Sequence, residues 1–230
     1  MLIDQTYPNL DFNMKKTTVS QALKVIVSSV FSLAVIFSTA VQANLIQNGS
    51  FENVPGSIDA IGGYGSPATW QIYSSIPEWN ASRNMEIWTD DFIVPAYDGS
   101  NVLELNGHPG TGFGAFSISQ SFATVVGQQY ELSFAGRKRQ NPTEVFSVSV
   151  GTLYESINSH SVGAWTEFSY MFEAIDIMST LQFSSLDSSD DTTGNLLDAV
   201  SIVSVPEPSI IALFGLGLVG LGFAGRRRKS

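Results

Sequence analysis

The chain has 230 residues, no cysteine and a formal net charge of −10 at pH 7. The lack of cysteine excludes disulfide bonds, thiol catalysis and cysteine-ligated metal sites. Residues 44–205 carry eighteen acidic side chains against four basic ones, a net charge of −14. Because such a surface repels phosphate groups, we expect no nucleic-acid partner.

The N-terminal region has the pattern of a secretory signal. Met14-Lys15-Lys16 opens a weakly basic segment, an apolar stretch runs from Val25 to Val41, and Val41-Gln42-Ala43 supplies the small residues that signal peptidase needs. We expect cleavage after Ala43. Residues 1–13 contain two aspartates and no cation, so we expect translation to begin at Met14. Residues 1–43 are therefore assigned to the signal-peptide region, with an N-terminal signal helix.

Residues 44–205 alternate between apolar and polar side chains in short runs separated by glycine-rich turns. This period of two is typical of half-buried β-strands, and no window has a convincing helical period. The runs predicted as strands are Leu45–Phe51, Trp70–Tyr73, Met85–Trp88, Val102–Leu105, Phe116–Phe122, Tyr130–Phe134, Val145–Val150, Phe168–Phe172, Leu181–Phe183 and Leu196–Val203. About ten short strands predict an all-β jelly-roll sandwich, in one domain over residues 44–205.

The order of several motifs resembles the galactose-binding-like jelly roll of certain carbohydrate-binding modules. Residues 44–52 (NLIQNGSFE) and 196–202 (LLDAVSI) match the first and last strands of that family. Residues 98–105, 118–122 and 127–134 match its usual middle. Ala199 departs from the pattern, because relatives often carry a second aspartate there. The resemblance implies a carbohydrate-binding protein without catalytic activity.

The same resemblance implies a structural calcium ion between the first and last strands. Glu52 and Asp198 are the matching carboxylates. Calcium takes about six to eight oxygen ligands, and backbone carbonyl groups near Asn48 and Gly49 would supply the remainder. In the alternative interpretation, Asp198 caps a turn and Glu52 is solvated.

Aromatic side chains between residues 64 and 97 are candidates for sugar contacts. Flat aromatic rings stack on sugar rings, and planar polar groups orient the hydroxyl groups. Trp88 and Tyr97 lie at the ends of predicted strands, and we predict that they contact a ligand. The alternative is a structural role for both. Trp79, which follows Ile76-Pro77-Glu78, is expected in the core.

Arg137-Lys138-Arg139 is the one basic cluster in residues 44–205. We predict that it forms a turn after the strand Tyr130–Phe134. There Arg137 would contact an acidic polysaccharide or anionic lipid. The alternative is a solvated hairpin tip.

The residues that could support catalysis lack a recognisable arrangement. His108 and His160 have no nucleophile or metal partner at a known spacing, and the motifs Gly-x-Ser-x-Gly and His-Glu-x-x-His are absent. Paired carboxylates could hydrolyse a glycoside. The candidates for such a pair are Glu86, Asp90, Asp91 and Glu104. Acidic pairs on an acidic surface are usually solvated, so we predict no enzyme activity.

The C-terminal 25 residues, 206–230, have three parts in a fixed order. The tripeptide Pro206-Glu207-Pro208 precedes an apolar run from Ile210 to Ala224, and Arg226, Arg227 and Arg228 follow. The prolines hold the peptide extended. At ~1.5 Å per residue the run forms a helix about 23 Å long, which spans a membrane when basic residues snorkel. The cations favour the cytoplasmic side.

This tail resembles the PEP-CTERM sorting signal of Gram-negative bacteria, in which an inner-membrane exosortase removes the segment after Pro-Glu-Pro. The resemblance implies export, a transient inner-membrane stage with a C-terminal transmembrane helix, and then release or display at the cell surface. Exosortase and signal peptidase are the implied partners during export. An ordinary membrane anchor is the alternative.

These features predict an exported, exosortase-processed component of the cell surface, the extracellular polysaccharide matrix or a biofilm. We expect a non-catalytic protein that binds polysaccharide. The alternatives are a purely structural matrix protein without a glycan ligand and, third, a glycoside hydrolase.

Overall fold

The computed structural model describes residues 42–56, 62–65, 68–89, 94–106, 116–140, 143–185 and 193–206. The chain divides into two compact units, residues 1–41 and 42–230, and the described residues all belong to the second. The signal region, the sorting segment beyond Pro206, Asp90, Asp91 and His108 lie outside the described residues. In the part of the chain that is described, no helix is long and apolar enough to cross a membrane.

The described residues form a sandwich of two antiparallel sheets. The strands are β1 (Gly62–Gly65), β2 (Ala68–Tyr73), β3 (Asn80–Ala81), β4 (Met85–Thr89), β5 (Asn101–Leu105), β6 (Ser117–Ala123), β7 (Gln129–Lys138), β8 (Phe146–Val150), β9 (Leu153–Ile157), β10 (Thr166–Glu173), β11 (Met178–Ser185) and β12 (Asn195–Ser204). One sheet has the order β1-β2-β4-β5-β12-β7-β10, and the other has the order β3-β6-β11-β8-β9. The predicted all-β jelly-roll sandwich is confirmed.

The main core lies between the two sheets. Alternate residues of each strand point inwards, so Leu103 and Leu132 of the seven-stranded sheet face Ile118 and Phe183 of the five-stranded sheet, each with 0% of its surface exposed. Burying each such side chain contributes about 1.5–3 kcal/mol. Trp79 is 3% exposed and its indole N–H donates to the carbonyl of Asn48 at 3.0 Å, which confirms its predicted place in the core.

The prediction of a strand over Leu45–Phe51 is wrong. Asn48 and Phe51 adopt positive φ angles of 51° and 57°, and a chain that turns this way leaves the extended conformation. The segment nevertheless runs beside β12, because Leu45 N donates to Ile202 O at 2.8 Å and Val200 N donates to Gly49 O at 3.0 Å. The first and last segments of the domain are therefore neighbours, as the resemblance implied.

Candidate ligand-binding face

The seven-stranded sheet carries a second apolar cluster on the face that points away from the main core. Ile87, Leu103 and Leu197 belong to the main core, so their strand neighbours Trp88, Val102 and Leu196 point to the opposite side. These three side chains and Val94 form a separate buried cluster, against which Trp70, Ala96 and Trp165 pack. We call this side of the sheet the outer face.

Two carboxylates, the buried Asp198 and the exposed Glu52, hold the loop that approaches the outer face. Asp198 Oδ2 accepts hydrogen bonds from Tyr97 N at 2.8 Å and Asp98 N at 3.0 Å. Glu52 Oε1 accepts from Ser100 N at 2.8 Å and Asn101 N at 2.7 Å. Residues 97–101 are thus held at both ends by acceptors that come from distant parts of the chain.

Burial sets the protonation of Asp198. The side chain is 0% exposed, and this desolvation raises its pKa to about 6, although the N–H donors at Asp98, Ala199 and Tyr97 favour the charged form. At neutral pH the carboxylate is charged, and its donors supply the stabilisation that water would otherwise give.

In the structure, the carboxylates of Glu52 and Asp198 both accept hydrogen bonds from residues 97–101. Asp198 accepts from the N–H groups of Tyr97 and Asp98, which is the turn-capping alternative. Glu52 accepts from the N–H and hydroxyl groups of Ser100 and from the N–H group of Asn101. Within the described ranges, no group of three or more His, Cys, Asp or Glu side chains could hold a metal ion. Calcium binding stays a prediction: a chelator that lowers Tm supports it, and an unchanged Tm removes it.

A buried ion pair lies beside the apolar cluster of the outer face. Glu104 is 0% exposed and both of its oxygens lie 3.0 Å from Arg139 Nη1. Glu104 also accepts hydrogen bonds from Trp88 Nε1 at 2.7 Å and Gly194 N at 2.7 Å. The Arg139 guanidinium lies 4.5 Å from the centroid of the Trp88 ring. Arg139 thus makes charge-assisted hydrogen bonds to Glu104 and a cation–π interaction with Trp88.

A second glutamate, Glu86, stands directly opposite Glu104 in the pairing of β4 with β5. Glu86 is 6% exposed, and burial together with the Glu104 charge raises its pKa to about 8. Burial also raises the pKa of Glu104, but Arg139 and the Trp88 and Gly194 donors favour its charged form. With a pKa of about 8, Glu86 is therefore mostly protonated at pH 7.

The structure places Trp88 under this ion pair. Its side chain is 7% exposed, and its ring packs against Trp70 at a centroid distance of 5.7 Å. The Trp88 ring packs against the Arg139 guanidinium. Direct contact between Trp88 and a ligand stays a prediction.

Tyr97 is exposed, as a ligand contact must be. It is 43% exposed, its ring meets Trp165 edge to face at 6.2 Å, and its hydroxyl group donates to the exposed carboxylate of Glu167. That bond raises the pKa of Tyr97. Trp165 is half-buried, and its Nε1 donates to Pro95 O at 2.9 Å. We call Tyr97 and Trp165 the aromatic rim.

Sequence reasoning missed Trp165 and Glu167. The available signal was a fourth tryptophan after Gly163-Ala164, three residues before the predicted strand Phe168–Phe172. The contact with Tyr97 joins positions 68 residues apart and has no local signature.

Arg137 and Lys138 are the last two residues of strand β7 and Arg139 follows directly, so the predicted turn after Phe134 is wrong. The strand continues to Lys138, and alternation directs Arg137 and Arg139 to the outer face while Lys138 points inwards at 7% exposure. Arg137 of β7 pairs with Leu196 of the neighbouring strand β12. Its Nε is buried without a hydrogen-bond partner among the described residues, and desolvation lowers its pKa. Thr166 pairs with Gly136, so the preceding Trp165 lies beside Arg137 in the register.

His160 is a buried structural residue. It is 4% exposed, its Nε2 shares a hydrogen bond with Asn195 Oδ1 at 2.5 Å, and burial lowers its pKa. The ring is therefore neutral at pH 7, packed edge-on against Phe146 at 5.2 Å.

The fold and this face define a jelly-roll β-sandwich domain with a candidate ligand surface. The chain belongs to the family described as "Protein of unknown function (DUF642)", whose model matches residues 44–203. A PEP-CTERM protein-sorting motif matches residues 204–229. The sorting signal predicted from Pro206-Glu207-Pro208 and Arg226–Arg228 is thereby confirmed, and it directs export towards the cell surface.

Known proteins resemble the domain at low identity. Halomucin of Haloquadratum walsbyi (strain DSM 16790 / HBSQ001) is 29% identical over 201 residues, which cover 82% of this chain and 2% of that protein. The chain thus spans a small part of that relative's length. The apo form of a cyclase from Fischerella sp. has a TM-score of 0.52 at 15% identity, covering 74% of this chain and 100% of the other. This likeness concerns the fold alone.

A carbohydrate-binding structure is also similar. TmCBM61 in complex with beta-1,4-galactotriose has a TM-score of 0.48 at 12% identity, covering 71% of this chain and 99% of that one.

Proposed function

We propose that this protein is an exported, non-catalytic component of the cell surface that binds carbohydrate at the aromatic rim. One observation carries the proposal: the exposed Tyr97 ring meets Trp165 at 6.2 Å, with Glu167 bonded to Tyr97 and Arg137 beside Trp165. Aromatic rings next to planar polar groups are the combination that binds sugar rings and their hydroxyl groups.

The rim is held in place before any ligand arrives. Asp198 fixes the backbone of Tyr97 at 2.8 Å, and Pro95 fixes the Trp165 indole at 2.9 Å. Because fewer side chains must be immobilised on binding, the entropic cost of association falls.

A hydrolytic role fits the face less well. Glycosidases need two carboxyl groups that flank an accessible bond. Glu86 and Glu104 are 6% and 0% exposed, and Glu104 is committed to Arg139, Trp88 and Gly194. These observations support a binding role over a glycoside hydrolase.

The sorting motif supports a route through the inner membrane. In this proposal, signal peptidase cleaves after Ala43, the segment 210–224 holds the precursor transiently, and exosortase then removes residues beyond the Pro206-Glu207-Pro208 motif. The functional domain is residues 44–205. Mass spectrometry of the mature C-terminus in cells with and without exosortase tests this route: a tail lost only when the enzyme is present supports it, and an intact Ser230 in both overturns it.

Glycan binding is tested with the purified protein on a broad glycan array, followed by titration of the best ligand. We expect Tyr97→Ala and Trp165→Ala each to weaken binding about tenfold, which corresponds to about 1.4 kcal/mol. The matched control is Tyr154→Ala, which removes a 66% exposed tyrosine on β9 of the other sheet and should leave Kd unchanged. Silence across the array favours the purely structural matrix protein, and release of reducing sugar revives the hydrolase.

A further inference from the structure

Two turns at one end of the sandwich form a single surface. One turn joins β6 to β7 and the other joins β10 to β11. Thr124 N donates to Ile177 O at 2.8 Å, Gly127 N donates to Ala174 O at 2.8 Å, and Ala174 N donates to Gln128 O at 3.1 Å. These bonds hold the turns side by side.

The surface of these turns is mostly apolar, with one exposed carboxylate, that of Asp176, between Ile175 and Ile177. Of the nine large hydrophobic side chains exposed within the described residues, five lie here: Val125 (66%), Val126 (59%), Ile175 (66%), Ile177 (69%) and Met178 (52%). We call these five side chains the apolar tip. Single exposed apolar residues are ordinary, but a group of them marks a site that contacts another apolar surface.

The chain leaves the domain at the apolar tip. Val205 N donates to Gln129 O at 2.8 Å, and Gln128 Nε2 donates to Val205 O at 2.6 Å, so the last described residues lie directly beside the β6–β7 turn. The apolar run begins at Ile210, four residues after Pro206. Four residues span at most ~14 Å even when fully extended.

The first described residues lie at the same end. The hydroxyl group of Ser204 donates to Gln42 Oε1 at 3.2 Å. Both ends of the domain therefore connect to apolar sequence from the side that carries the apolar tip.

We propose that the apolar tip is a membrane-contact surface, which rests in the interfacial layer of the bilayer that holds residues 210–224. The short connection requires the domain to lie close to that bilayer, and the tip carries five of the nine exposed large hydrophobic side chains of the described residues. With net charge −14 over residues 44–205, the domain is repelled by anionic headgroups, so the contact depends on apolar insertion into zwitterionic lipid. This contact holds Pro206-Glu207-Pro208 at the membrane surface, where a membrane enzyme can reach it.

The proposal is tested with the full chain reconstituted in phosphatidylcholine vesicles. The natural chain has no cysteine, so Val126→Cys carries one environment-sensitive fluorophore at the tip. Val162→Cys is the matched control, because Val162 is 45% exposed and bridges Lys138 at the opposite end of β7. Ten residues of β7 separate the two sites by about 30 Å.

We expect the label at position 126 to shift to the blue and to be quenched by lipids brominated near the headgroup, and the label at 162 to remain water-like. Adding Ile177→Asp should reduce quenching at 126 about threefold or more, because a charged residue opposes insertion. Vesicle flotation and circular dichroism verify that this variant stays anchored and folded.

Two results would overturn the proposal. Equal, water-like emission at 126 and 162 would show that the tip stays in solvent. A blue shift at 126 without bromolipid quenching would show that protein covers the tip, either a second copy or residues 210–224 folded back. Neither result bears on glycan binding at the aromatic rim, which lies on a different surface.

Discussion

The two ends of strand β7 differ in the kinds of side chain that they bury and expose. At its Lys138 end the structure buries charge: Lys138 is 7% exposed, and the adjoining Arg139 pairs with the fully buried Glu104. At its Gln129 end the neighbouring turns expose Val125 and Val126, which are 66% and 59% exposed. Both ends depart from the rule that apolar groups lie inside and charged groups outside.

The difference lies in how each departure is compensated. The buried charges are compensated internally, since Glu104 has Arg139, Trp88 and Gly194 as partners. The exposed valines have no such covering among the described residues, and the chain continues from this end into apolar sequence. Buried charge at one end therefore reflects internal structure, whereas exposed apolar surface at the other indicates an external contact.

The largest expected effect comes from breaking the buried pair. Arg139→Met leaves Glu104 without its counter-charge in a buried site, which should lower the free energy of unfolding by about 3 kcal/mol. Urea denaturation measures this loss. The control at the opposite end of β7 is Val126→Asp, which should change the free energy by no more than about 0.5 kcal/mol. Similar losses for both variants would contradict the comparison.

The second effect concerns Glu86 and pH. Its folded pKa of about 8 lies above the ordinary value of 4.5, so the stability that it contributes is complete below pH 4.5 and is lost as pH rises through 8. Asp198, raised to about 6, acts in the same direction at lower pH. Between pH 6 and 9, Tm of the wild-type protein should fall.

Glu86→Gln removes the titrating group and keeps the shape. The Tm of this variant should change little between pH 6 and 9. At pH 9 its free energy of unfolding should exceed that of the wild type by about 2 kcal/mol. If its Tm falls in parallel with that of the wild type, Glu86 is not the group that titrates.

A smaller effect should follow from Gly127→Ala in the β6–β7 turn. Gly127 has a φ of 81°, and no atom within 4 Å would meet an added Cβ, so the change tests backbone conformation alone. We expect a loss of about 1 kcal/mol in thermal denaturation. An alanine variant as stable as the wild type would indicate that the turn adopts another conformation.

The smallest effect is expected at the aromatic rim. Tyr97→Phe removes the hydroxyl group that bonds to Glu167 and should leave Tm nearly unchanged, because the bond is exposed. Isothermal titration of a glycan ligand should still show weaker binding than for the wild type. A large loss of stability would instead assign Tyr97 a structural role.

Local pattern predicted most of the strands but missed three of them. Alternation identified segments such as Phe168–Phe172, which lies within β10 (Thr166–Glu173). β1, β3 and β9 escaped because they are short, glycine-rich or exposed: β9 (Leu153–Ile157) has three consecutive exposed residues. Alternation marks a strand only when one face is buried.

The candidate site was only partly predictable. Tyr97 was predicted because an aromatic residue at the end of a predicted strand is a candidate sugar contact. Its contact with Trp165 depends on how distant strands pair, which no local pattern shows. Arg137 was assigned to a turn because three consecutive cations suggest a solvated segment. In the structure, Arg137 and Arg139 lie on the outer face, where Arg139 pairs with the buried Glu104.

The sequence by itself determined the sorting motif, the all-β class and the absence of disulfide bonds, because these depend on residue order, local alternation and residue type. Only the tertiary structure decided that Trp165 meets Tyr97, that Arg139 neutralises Glu104, and that Val205 leaves beside the apolar tip. Each of these contacts joins segments that are distant in the sequence and are positioned by strand pairing, which is selected by burial of the whole core. No local pattern encodes that choice, since it depends on all the strands at once.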